Sequence, residues 1–461
     1  MKLRAVSFII SVIMLVSVVV PVGATDSGAL YDSVIEYAEP FAKAIENMEG
    51  EFVFDDGGIS TDEMKLLVTV TFNENPLFFH FSNDYNYGYK TDPVTGETVV
   101  TKLFLKYKMT AEEYSAGLSE VRAWRDEVIA LVDPSFTDME KALFFHDYLC
   151  ANYSYDTTLA IHDIYNFIKT GVGVCQSYTY AYAYLLEGVG IESSWASSGE
   201  MNHIWNLVKL DSEWYHADVT WDDPIGNTYG SANHKYFLKS DAAISTKDGG
   251  HFGWISRYAC TSDKYDDSPV SSIGSAMVPL GDKWYYFSEG NLYAADSPDS
   301  TGTEVKKLGY IWNVWESSKY YIGCYSGLMA YSGKLYFNSA TGIMSFDPAK
   351  GTLTTVYTYT GGSGYIYGFS KQHGIDDGYT VMVNIATAPG KTVELTSTDL
   401  SKIYGDASGD GKVNLGDAAL VLKYIAKWSV SMNADMADID RNGKVNLSDV
   451  SGIMKKIAGW S

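Results

Sequence analysis

One cysteine, Cys175, occupies a position in which a cysteine can act as a nucleophile. It follows the glycine turn Gly171-Val-Gly-Val and begins an apolar pattern of helical period that ends at Gly188. The pattern predicts a helix that starts at Cys175. There the helix dipole and the free backbone N–H groups favour a thiolate, and the same groups can stabilise an oxyanion. A buried, inert cysteine is the alternative that this placement leaves open.

A thiolate nucleophile needs a base, and the base needs a group that orients it. The segments 202–209 and 214–221 have extended character and flank an Asp-Ser pair, which predicts a hairpin with a two-residue turn. In that register His203 and Asp218 lie on one face, a diagonal step apart, so their side chains can meet. His216 shares the face of Asp218, so the hairpin alone leaves two candidate bases.

A third histidine, His162, lies upstream, and spacing alone does not exclude it. Three stretches of the sequence contain Cys175, His203 and Asp218: Gly-Val-Cys-Gln-Ser-Tyr, Asn-His-Ile-Trp-Asn and Trp-Tyr-His-Ala-Asp-Val-Thr-Trp-Asp-Asp-Pro. They resemble the three blocks of the bacterial transglutaminase-like (papain-like cysteine) superfamily, in its order of Cys, His and Asp. The resemblance covers roughly 140–240. It implies Cys175 as the nucleophile, His203 as the base and later the acid, and Asp218 as the orienting group.

The residue before the nucleophile departs from the animal-type members of that superfamily, which place a tryptophan there to help stabilise the oxyanion. Here Val174 precedes Cys175, and we expect Tyr165, ten residues upstream, to supply a hydroxyl to the oxyanion. Transamidation must exclude water in favour of an amine, so the departure disfavours it. The resemblance implies attack on a peptide or carboxamide carbonyl, with hydrolysis favoured over protein crosslinking.

The C-terminal residues from 406 onward repeat one pattern twice, at an offset of 32 residues. Each copy is a twelve-residue loop with oxygen side chains at positions 1, 3, 5, 9 and 12 and glycine at position 6, which is typical of a calcium-binding loop. The ligands expected for two calcium ions, with each lysine contributing its backbone carbonyl, are Asp406, Ser408, Asp410, Lys412, Asn414 and Asp417 in the first loop and Asp438, Asp440, Asn442, Lys444, Asn446 and Asp449 in the second. Because neutral Ser408 stands where Asp440 is charged, we expect the first site to bind calcium more weakly.

Each loop is followed by a short apolar helix pattern, and paired loop–helix units of this kind resemble type I dockerins, over about 406–461. The resemblance implies docking onto a cohesin module of a scaffoldin in a cellulosome-type complex. It also implies partner contacts at loop positions 10 and 11, which are Leu415, Gly416, Leu447 and Ser448. Their near-symmetry predicts two similar binding faces. A calcium-stabilised structural cap is the alternative.

The two ends of the chain are consistent with a protein that works outside the cell. Residues 1–24 have the organisation of a secretory signal peptide, with a small-residue cleavage site after Ala24; an uncleaved membrane anchor is the alternative. No later stretch is apolar enough to cross a membrane. The net charge of −23 at pH 7 argues against nucleic-acid binding. Four cysteines do not make a disulfide framework in a secreted chain of 461 residues, although a Cys150–Cys260 bridge remains open.

These features predict a multidomain chain. After the signal peptide, 25–264 is expected to form an α+β transglutaminase-like (papain-like) domain with an N-terminal extension, 265–400 a small β-rich domain, and 401–461 an all-α, calcium-binding dockerin. Two strand–turn–strand units begin at Gly281 and Gly333, and this period of about 50 is typical of propeller-like blades. Aromatic residues of that domain are candidates for polysaccharide contact.

Local patterns in the first domain predict four further elements. The apolar, β-branched stretch Leu66–Phe72 and the stretch Leu77–Phe81 are expected to be strands. Alternating charged and apolar residues at helical spacing predict a helix over Thr110–Leu131. A second helix is expected to begin at Thr137, before an acidic first turn.

The sequence as a whole favours a secreted cysteine enzyme that acts on a protein or peptide and is carried by an extracellular scaffold. The alternative is a non-catalytic module that holds polysaccharide or protein on the same scaffold. No pair of carboxylates in the sequence argues specifically for a glycosidase.

Overall fold

The computed structural model divides into two compact units, which are Met1–Leu149, Tyr155–Asp222 and Lys235–Ser271 in the first and Cys150–Ser154, Asp223–His234 and Ser272–Ser461 in the second. The predicted signal peptide lies outside the described residues, apart from the backbone of Val12–Ile13. Residues 313–316 and 319–323 are likewise described as backbone alone. The described residues are 34–55, 57–82, 84–91, 96–223, 230–245, 250–316, 319–362, 364–371, 380–388 and 390–458.

The first part of the chain mixes helices and strands. The helices described up to residue 271 are α1 Ile35–Glu46, α2 Thr61–Glu74, α3 Ala111–Ile129, α4 Asp138–Asn152, α5 Ile164–Thr170, α6 Cys175–Gly188, α7 Val219–Asp222 and α8 Asp241–Ser245. The strands are β1 Val12–Ile13, β2 Glu51–Val53, β3 Asp84–Thr91, β4 Thr98–Phe104, β5 Ser154–Tyr155, β6 Val172–Gly173, β7 Ser193–Ser198, β8 His203–Leu210, β9 Glu213–Ala217, β10 Phe237–Lys239 and β11 Trp254–Ser256.

A five-stranded antiparallel sheet forms the centre of the first unit, in the order β10-β9-β8-β7-β11. Strand β8 is its middle strand, and of its residues only Lys209 is not fully buried. Helix α6 is tied to β8 by side chains, because Thr179 donates its Oγ1–H to the Ile204 carbonyl at 3.1 Å and Asn206 donates its side-chain N–H to the Thr179 carbonyl at 3.0 Å. These bonds hold the start of α6, which is Cys175, beside the start of β8, which is His203.

The expectation of strands at Leu66–Phe72 and Leu77–Phe81 is wrong. The first stretch lies inside α2, which Ser60 and Glu63 start with a reciprocal capping box. The helix is buried on most of its surface, so it lacks the polar face that marks an amphipathic helix. Its continuous apolar sequence therefore resembles that of a buried strand. The second stretch forms turns and contributes only an isolated bridge, between Phe81 and Tyr107.

The two predicted helices in this region are confirmed. Helix α3, Ala111–Ile129, begins after a capping box between Thr110 and Glu113. Helix α4, Asp138–Asn152, begins after Thr137, whose hydroxyl accepts the Glu140 N–H at 3.3 Å. In both cases an oxygen side chain three residues before a glutamate satisfies N–H groups that would otherwise lack a partner.

The second unit is built mainly from antiparallel strands, followed by helices. The strands are β12 Val278–Leu280, β13 Lys283–Ser288, β14 Asn291–Ala295, β15 Thr303–Lys306, β16 Trp312–Glu316, β17 Lys319–Gly323, β18 Leu328–Tyr331, β19 Lys334–Asn338, β20 Gly342–Asp347, β21 Thr352–Thr358, β22 Tyr365–Lys371, β23 Thr380–Ala386 and β24 Thr392–Asp399. The helices are α9 Leu415–Ile425, α10 Ala434–Ala437 and α11 Leu447–Ala458. A short 3₁₀ helix, Pro269–Ser272, precedes these strands.

The repeated strand–turn–strand pattern is confirmed as local structure. Strands β12–β15 and β18–β21 form two four-stranded antiparallel sheets, each in sequence order. The paired strands β13–β14 and β19–β20 correspond to the two predicted copies, and their facing side chains share one apolar core that includes Phe287 and Phe337. Among the described aromatic side chains of this region, Tyr365 is exposed whereas most of the others pack in cores. Polysaccharide contact by this region stays a prediction.

The C-terminal region forms the two predicted loop–helix units. Helices α9 and α11 enclose a small apolar core of Ala407, Ala418, Val421, Ala437 and Ile453. None of the helices in the described part of the chain is long and apolar enough to cross a membrane.

Candidate active site and calcium loops

A short turn between α5 and α6 presents Cys175. Helix α5 ends at Gly171, which adopts a left-handed conformation with φ of 76° that glycine tolerates without strain. Val174 is the extended residue before α6, and no side chain caps that helix. The Ser177 N–H donates to the Val174 carbonyl at 2.9 Å, so the N–H groups left beside the half-buried thiol are those of Cys175 and Gln176, at the very start of the helix.

A second loop, which contains Asp156 and Ile161, holds this turn in place. The Ile161 carbonyl accepts the Val174 N–H at 2.9 Å and the Ser177 hydroxyl at 3.0 Å. The loop is itself held by Asp156, whose carboxylate accepts hydrogen bonds from the Thr158 hydroxyl and from backbone N–H groups, which lower the pKa of Asp156 to about 2. The position of Cys175 is thus set by two loops as well as by its helix.

The predicted hairpin is confirmed, and it brings His203 and Asp218 together. Leu210 pairs with Glu213, and the two turn residues between them both have positive φ, as a two-residue turn of type I′ requires. His203 begins β8 and Asp218 follows β9. Nε2 of His203 lies 2.6 Å from Oδ2 of Asp218.

Both groups are buried, so the electrostatics of the pair are strong. Burial by itself lowers the pKa of His203, but the Asp218 carboxylate and Cys175 outweigh burial and raise the pKa of His203 to about 10. Burial would raise the pKa of Asp218, but His203 and His251 outweigh it and hold the pKa of Asp218 well below its ordinary value. His203 also hydrogen-bonds with Cys175. Because Asp218 occupies Nε2, Nδ1 is the nitrogen that remains for the thiol.

Two tryptophans enclose the His203 ring. Trp205 stacks at 5.5 Å between ring centroids and Trp221 at 5.3 Å. Trp221 is 36% exposed, so one of the two rings that stack on His203 reaches the surface. It also donates its backbone N–H to Oδ1 of Asp218 at 3.1 Å. The pattern around Asp218 contained this tryptophan, but spacing alone gave no reason to assign it a role.

The other two candidate histidines have different partners. His216 lies with Nε2 2.8 Å from Oδ1 of Asp241, and its Nδ1 accepts the indole N–H of Trp205 at 2.9 Å. Burial lowers the pKa of His216. His162 lies on the surface with Nε2 3.0 Å from the Leu159 carbonyl.

Tyr165, expected at the oxyanion, is engaged elsewhere. Its hydroxyl accepts a hydrogen bond from the Lys169 ammonium at 2.9 Å and donates one to Glu120 at 3.4 Å. Its ring stacks on Phe79. The residue belongs to the outer face of α5, so its closeness in sequence to Cys175 does not bring the hydroxyl into the cluster. A different tyrosine, Tyr155, interacts electrostatically with Cys175.

The four cysteines, Cys150, Cys175, Cys260 and Cys324, are free thiols. The Cys150–Cys260 bridge that the sequence left open is therefore not formed. Burial, reinforced by the Asp241 carboxylate, raises the pKa of the Cys260 thiol. Of the cysteines in the first unit, Cys175 is the more accessible.

A second histidine shares the Asp218 carboxylate. His251 lies with Nε2 2.7 Å from the same Oδ2 atom, so His203, Asp218 and His251 offer three ligand atoms close enough for a metal ion. Ligands of one tetrahedral zinc ion are about 3.4 Å apart, given metal bonds of about 2.1 Å. The separations of 2.6 and 2.7 Å are shorter than that, and they are hydrogen bonds. Nothing in the sequence marked His251, which lies in a loop 33 residues after Asp218.

The two C-terminal loops present oxygen atoms inward. The first and last carboxylates of each loop are buried or nearly so, although no basic side chain pairs with them among the described residues. In the first loop, Asp406 accepts the Gly411 N–H at 2.7 Å and Asp417 accepts the Ser408 N–H at 2.9 Å. In the second loop, Asp438 accepts the Gly443 N–H at 2.7 Å. The Asp440 N–H likewise donates to Asp449, at 3.4 Å, so equivalent backbone N–H groups are bound in the two loops.

The donor set of the second loop fits a divalent cation. Carboxylate oxygens of Asp438, Asp440 and Asp449 lie within 4.8 Å of one another. Burial and the neighbouring Asp449 charge raise the pKa of Asp438. Hard oxygen ligands in this arrangement suit calcium. In the first loop the hydroxyl of Ser408 donates to Asp406 at 3.1 Å instead of adding a charge.

The residues expected to contact a partner lie on the surface. They occupy loop positions 10 and 11, where the helices α9 and α11 begin, and they are Leu415, Gly416, Leu447 and Ser448, all exposed. Leu415 and Leu447 are 63% and 64% exposed, which is unusual for leucine and equal in the two copies.

Comparison with known proteins identifies two regions of this chain. Residues 122–219 match the model of the transglutaminase-like superfamily, and residues 404–458 match the model of the dockerin type I domain. The chain is therefore a multidomain protein of mixed α/β structure, with a transglutaminase-like domain, several β-sheet regions and a C-terminal helical dockerin region. Dockerin type I domains bind calcium, and dockerins bind the cohesin modules of scaffoldins.

Among individual proteins, the chain is 25% identical over 240 residues to the cellulose 1,4-beta-cellobiosidase (reducing end) CelS of Acetivibrio thermocellus, which occurs twice among the curated relatives. The alignment covers 50% of this chain and spans about 30% of the length of those relatives. Among solved structures, a crystal structure described as that of a TGase matches with 13% identity and a TM-score of 0.22, covering 37% of this chain and 50% of that one.

Proposed function

We propose that this protein is a secreted cysteine enzyme that attacks peptide or carboxamide carbonyls through Cys175, His203 and Asp218. The observation that supports this most is the chain of contacts from Cys175 to His203 and from Nε2 of His203 to Asp218 at 2.6 Å. A nucleophile, a base and an orienting carboxylate in this order are the elements of a cysteine acyl-transfer site. The match of residues 122–219 to the transglutaminase-like superfamily spans all three.

In the first half of the reaction, the Cys175 thiolate attacks the carbonyl carbon and a carbon–sulfur bond forms. The negative charge moves to the carbonyl oxygen, where backbone N–H groups at the start of α6 stabilise it. His203 gives its Nδ1 proton to the leaving nitrogen as the carbon–nitrogen bond breaks, and an acyl-enzyme remains.

In the second half, His203 accepts a proton from water while the water oxygen attacks the acyl carbon. The carboxylic acid leaves as the carbon–sulfur bond breaks, and the thiolate–imidazolium pair returns. Throughout, Asp218 holds the ring in one orientation and stabilises its charged form. We favour water over an amine as acceptor because Val174 stands before Cys175 in place of the tryptophan of animal-type members.

We propose further that the dockerin region attaches the enzyme to a cohesin of an extracellular scaffoldin within a polysaccharide-degrading, cellulosome-type complex. Two calcium ions, one in each loop, would shape the two helices. The equal exposure of Leu415 and Leu447 supports two similar partner faces, with Gly416 and Ser448 beside them. The resemblance to CelS fits this setting. A substrate that is a protein within that complex or its surroundings is expected.

The experiment compares the parent with Cys175→Ala on an unfolded protein substrate, under reducing conditions with calcium. New peptide ends in the parent reaction support hydrolysis, whereas incorporation of a fluorescent primary amine supports crosslinking chemistry. Neither product should form with Cys175→Ala. If the parent gives neither product, and iodoacetamide labels Cys175 with an ordinary thiol titration, the protein is the non-catalytic binding module instead.

A further inference from the structure

The Asp218 carboxylate receives three hydrogen bonds, and only the bond from His203 belongs to the Cys-His-Asp arrangement itself. Oδ2 accepts from His203 and from His251, at 2.6 and 2.7 Å, and Oδ1 accepts the Trp221 N–H at 3.1 Å. Asp218 and His251 are both fully buried. Two imidazole rings thus converge on one oxygen atom where water does not compete for it.

The donor in the second contact can be assigned. The pKa of Asp218 is held low, so its oxygens accept and His251 must carry the proton on Nε2. Nδ1 of His251 is buried and has no hydrogen-bond partner among the described residues. The hydrogen bond from Nε2 to Asp218 is therefore the ring's hydrogen bond among the described residues.

The surroundings of His251 hold the ring in place. Its backbone N–H donates to the Ile244 carbonyl at 2.9 Å. The ring packs against Trp205 at 4.4 Å, Trp221 at 4.3 Å and Tyr236 at 5.0 Å between centroids. The titratable groups that face it are Asp218, His203, His216 and Tyr236.

We propose that His251 is a positioning residue for the reaction, which by donating a hydrogen bond to Asp218 keeps that carboxylate turned toward His203 and unable to take the imidazolium proton. The inference rests on the proposed function of Cys175, His203 and Asp218. An N–H donor on Oδ2 spreads the carboxylate charge over two partners, which lowers its affinity for a proton. The proton then stays on His203, beside the thiolate and ready for the leaving nitrogen.

The test uses the reduced full-length protein with calcium and two polar variants, His251→Gln and His251→Asn. The side-chain amide of glutamine reaches the position of Nε2, whereas that of asparagine stops near Nδ1 and cannot reach Asp218. The rate at which Cys175 is alkylated by iodoacetamide and by iodoacetate is followed from pH 4 to 11, by mass spectrometry of the peptide that contains it. An imidazolium beside the thiolate favours the anionic reagent, so the ratio of the two rates reports the charge on His203.

We expect the parent and His251→Gln to react rapidly near pH 6, well below the ordinary thiol pKa of about 8.5. His251→Asn should react at least about tenfold more slowly there, and its iodoacetate preference should fall. His251→Phe, which keeps the ring volume without the donor, should behave like His251→Asn and serves as the second variant if that protein does not fold. Variants that all match the parent would overturn the role of His251, as would an equal loss in His251→Gln.

A matched control separates positioning from packing. His216→Asn removes the Nε2 contact of a buried histidine that also bonds to a carboxylate at 2.8 Å, but its partner is Asp241. It should lower the thermal midpoint by a similar amount and keep the reagent ratio within about twofold of the parent. A loss of preference in His216→Asn as large as in His251→Asn would show a general packing effect and overturn the inference. If the parent Cys175 itself titrates as an ordinary thiol, the proposed function fails instead, which is a distinct result.

Discussion

Nε2 of His203 lies 2.6 Å from Oδ2 of Asp218, with both side chains buried and 15 positions apart in the chain. The contact exists because a two-residue turn fixes the register of β8 and β9, and because β9 ends just before Asp218. A carboxylate at this place decides the charge of the ring. Burial alone lowers the pKa of the ring, and the Asp218 carboxylate is the largest of the contributions that raise it.

Asp218→Asn is expected to abolish most of the activity. An amide cannot stabilise the imidazolium, so the pKa of His203 should fall, and the rate should drop by about 10³–10⁴-fold, as seen when the orienting carboxylate of such a site is neutralised. The drop is measured as loss of Cys175 alkylation near pH 6 and as loss of product. Asp241→Asn, which alters the carboxylate bonded to His216, is the control and should retain activity within a few fold. Equal activity in the two variants would show that Asp218 does not act on His203.

The His203–Asp218 pair also predicts how stability varies with pH. The folded pKa of His203 is about 10, above its unfolded value of 6.5, so folding favours the protonated ring. The stability that this provides is present in full below pH 6.5 and is lost as the pH rises through 10. The thermal midpoint of the parent should therefore exceed that of His203→Gln by a margin that shrinks by several degrees between these pH values. A margin that stays constant would contradict the raised pKa.

How far the sequence predicted this site depends on the range of the contacts. A turn of two residues fixes which residues of β8 and β9 face each other, so the sequence was enough to predict the pairing of His203 with Asp218. His251 could not be predicted, because its loop approaches Asp218 through the Ile244 carbonyl and the packing of three aromatic rings, none of which has a sequence period. The error at Leu66–Phe72 has a related cause, since a helix buried on most of its surface has the composition of a buried strand.

Tyr165→Phe should leave the chemistry intact. The change removes a hydroxyl that bonds to Lys169 and Glu120, so it should cost a little stability at the surface of α5. The rate of Cys175 alkylation and the turnover rate should stay within about twofold of the parent. Tyr155→Phe provides the comparison, because Tyr155, like Tyr180, interacts electrostatically with Cys175. A fall of about tenfold or more in Tyr165→Phe alone would restore that residue to the oxyanion role that its sequence position suggested.

The calcium loops allow a reciprocal exchange. Ser408 and Asp440 occupy position 3 of the two loops, and at that position only Asp440 has a carboxylate. At position 5 the order is reversed, with Asp410 in the first loop and Asn442 in the second, so each loop has three carboxylates. Ser408→Asp should tighten calcium binding at the first loop, and Asp440→Ser should weaken it at the second, by about tenfold each, since affinity follows the number of charged ligands. Calcium titration of each variant, followed by calorimetry and by helix content, measures both changes. Chelation should lower helix content in the parent, because the loops shape α9 and α11. If Asp440→Ser bound calcium as tightly as the parent, charge at position 3 would not be what distinguishes the two sites.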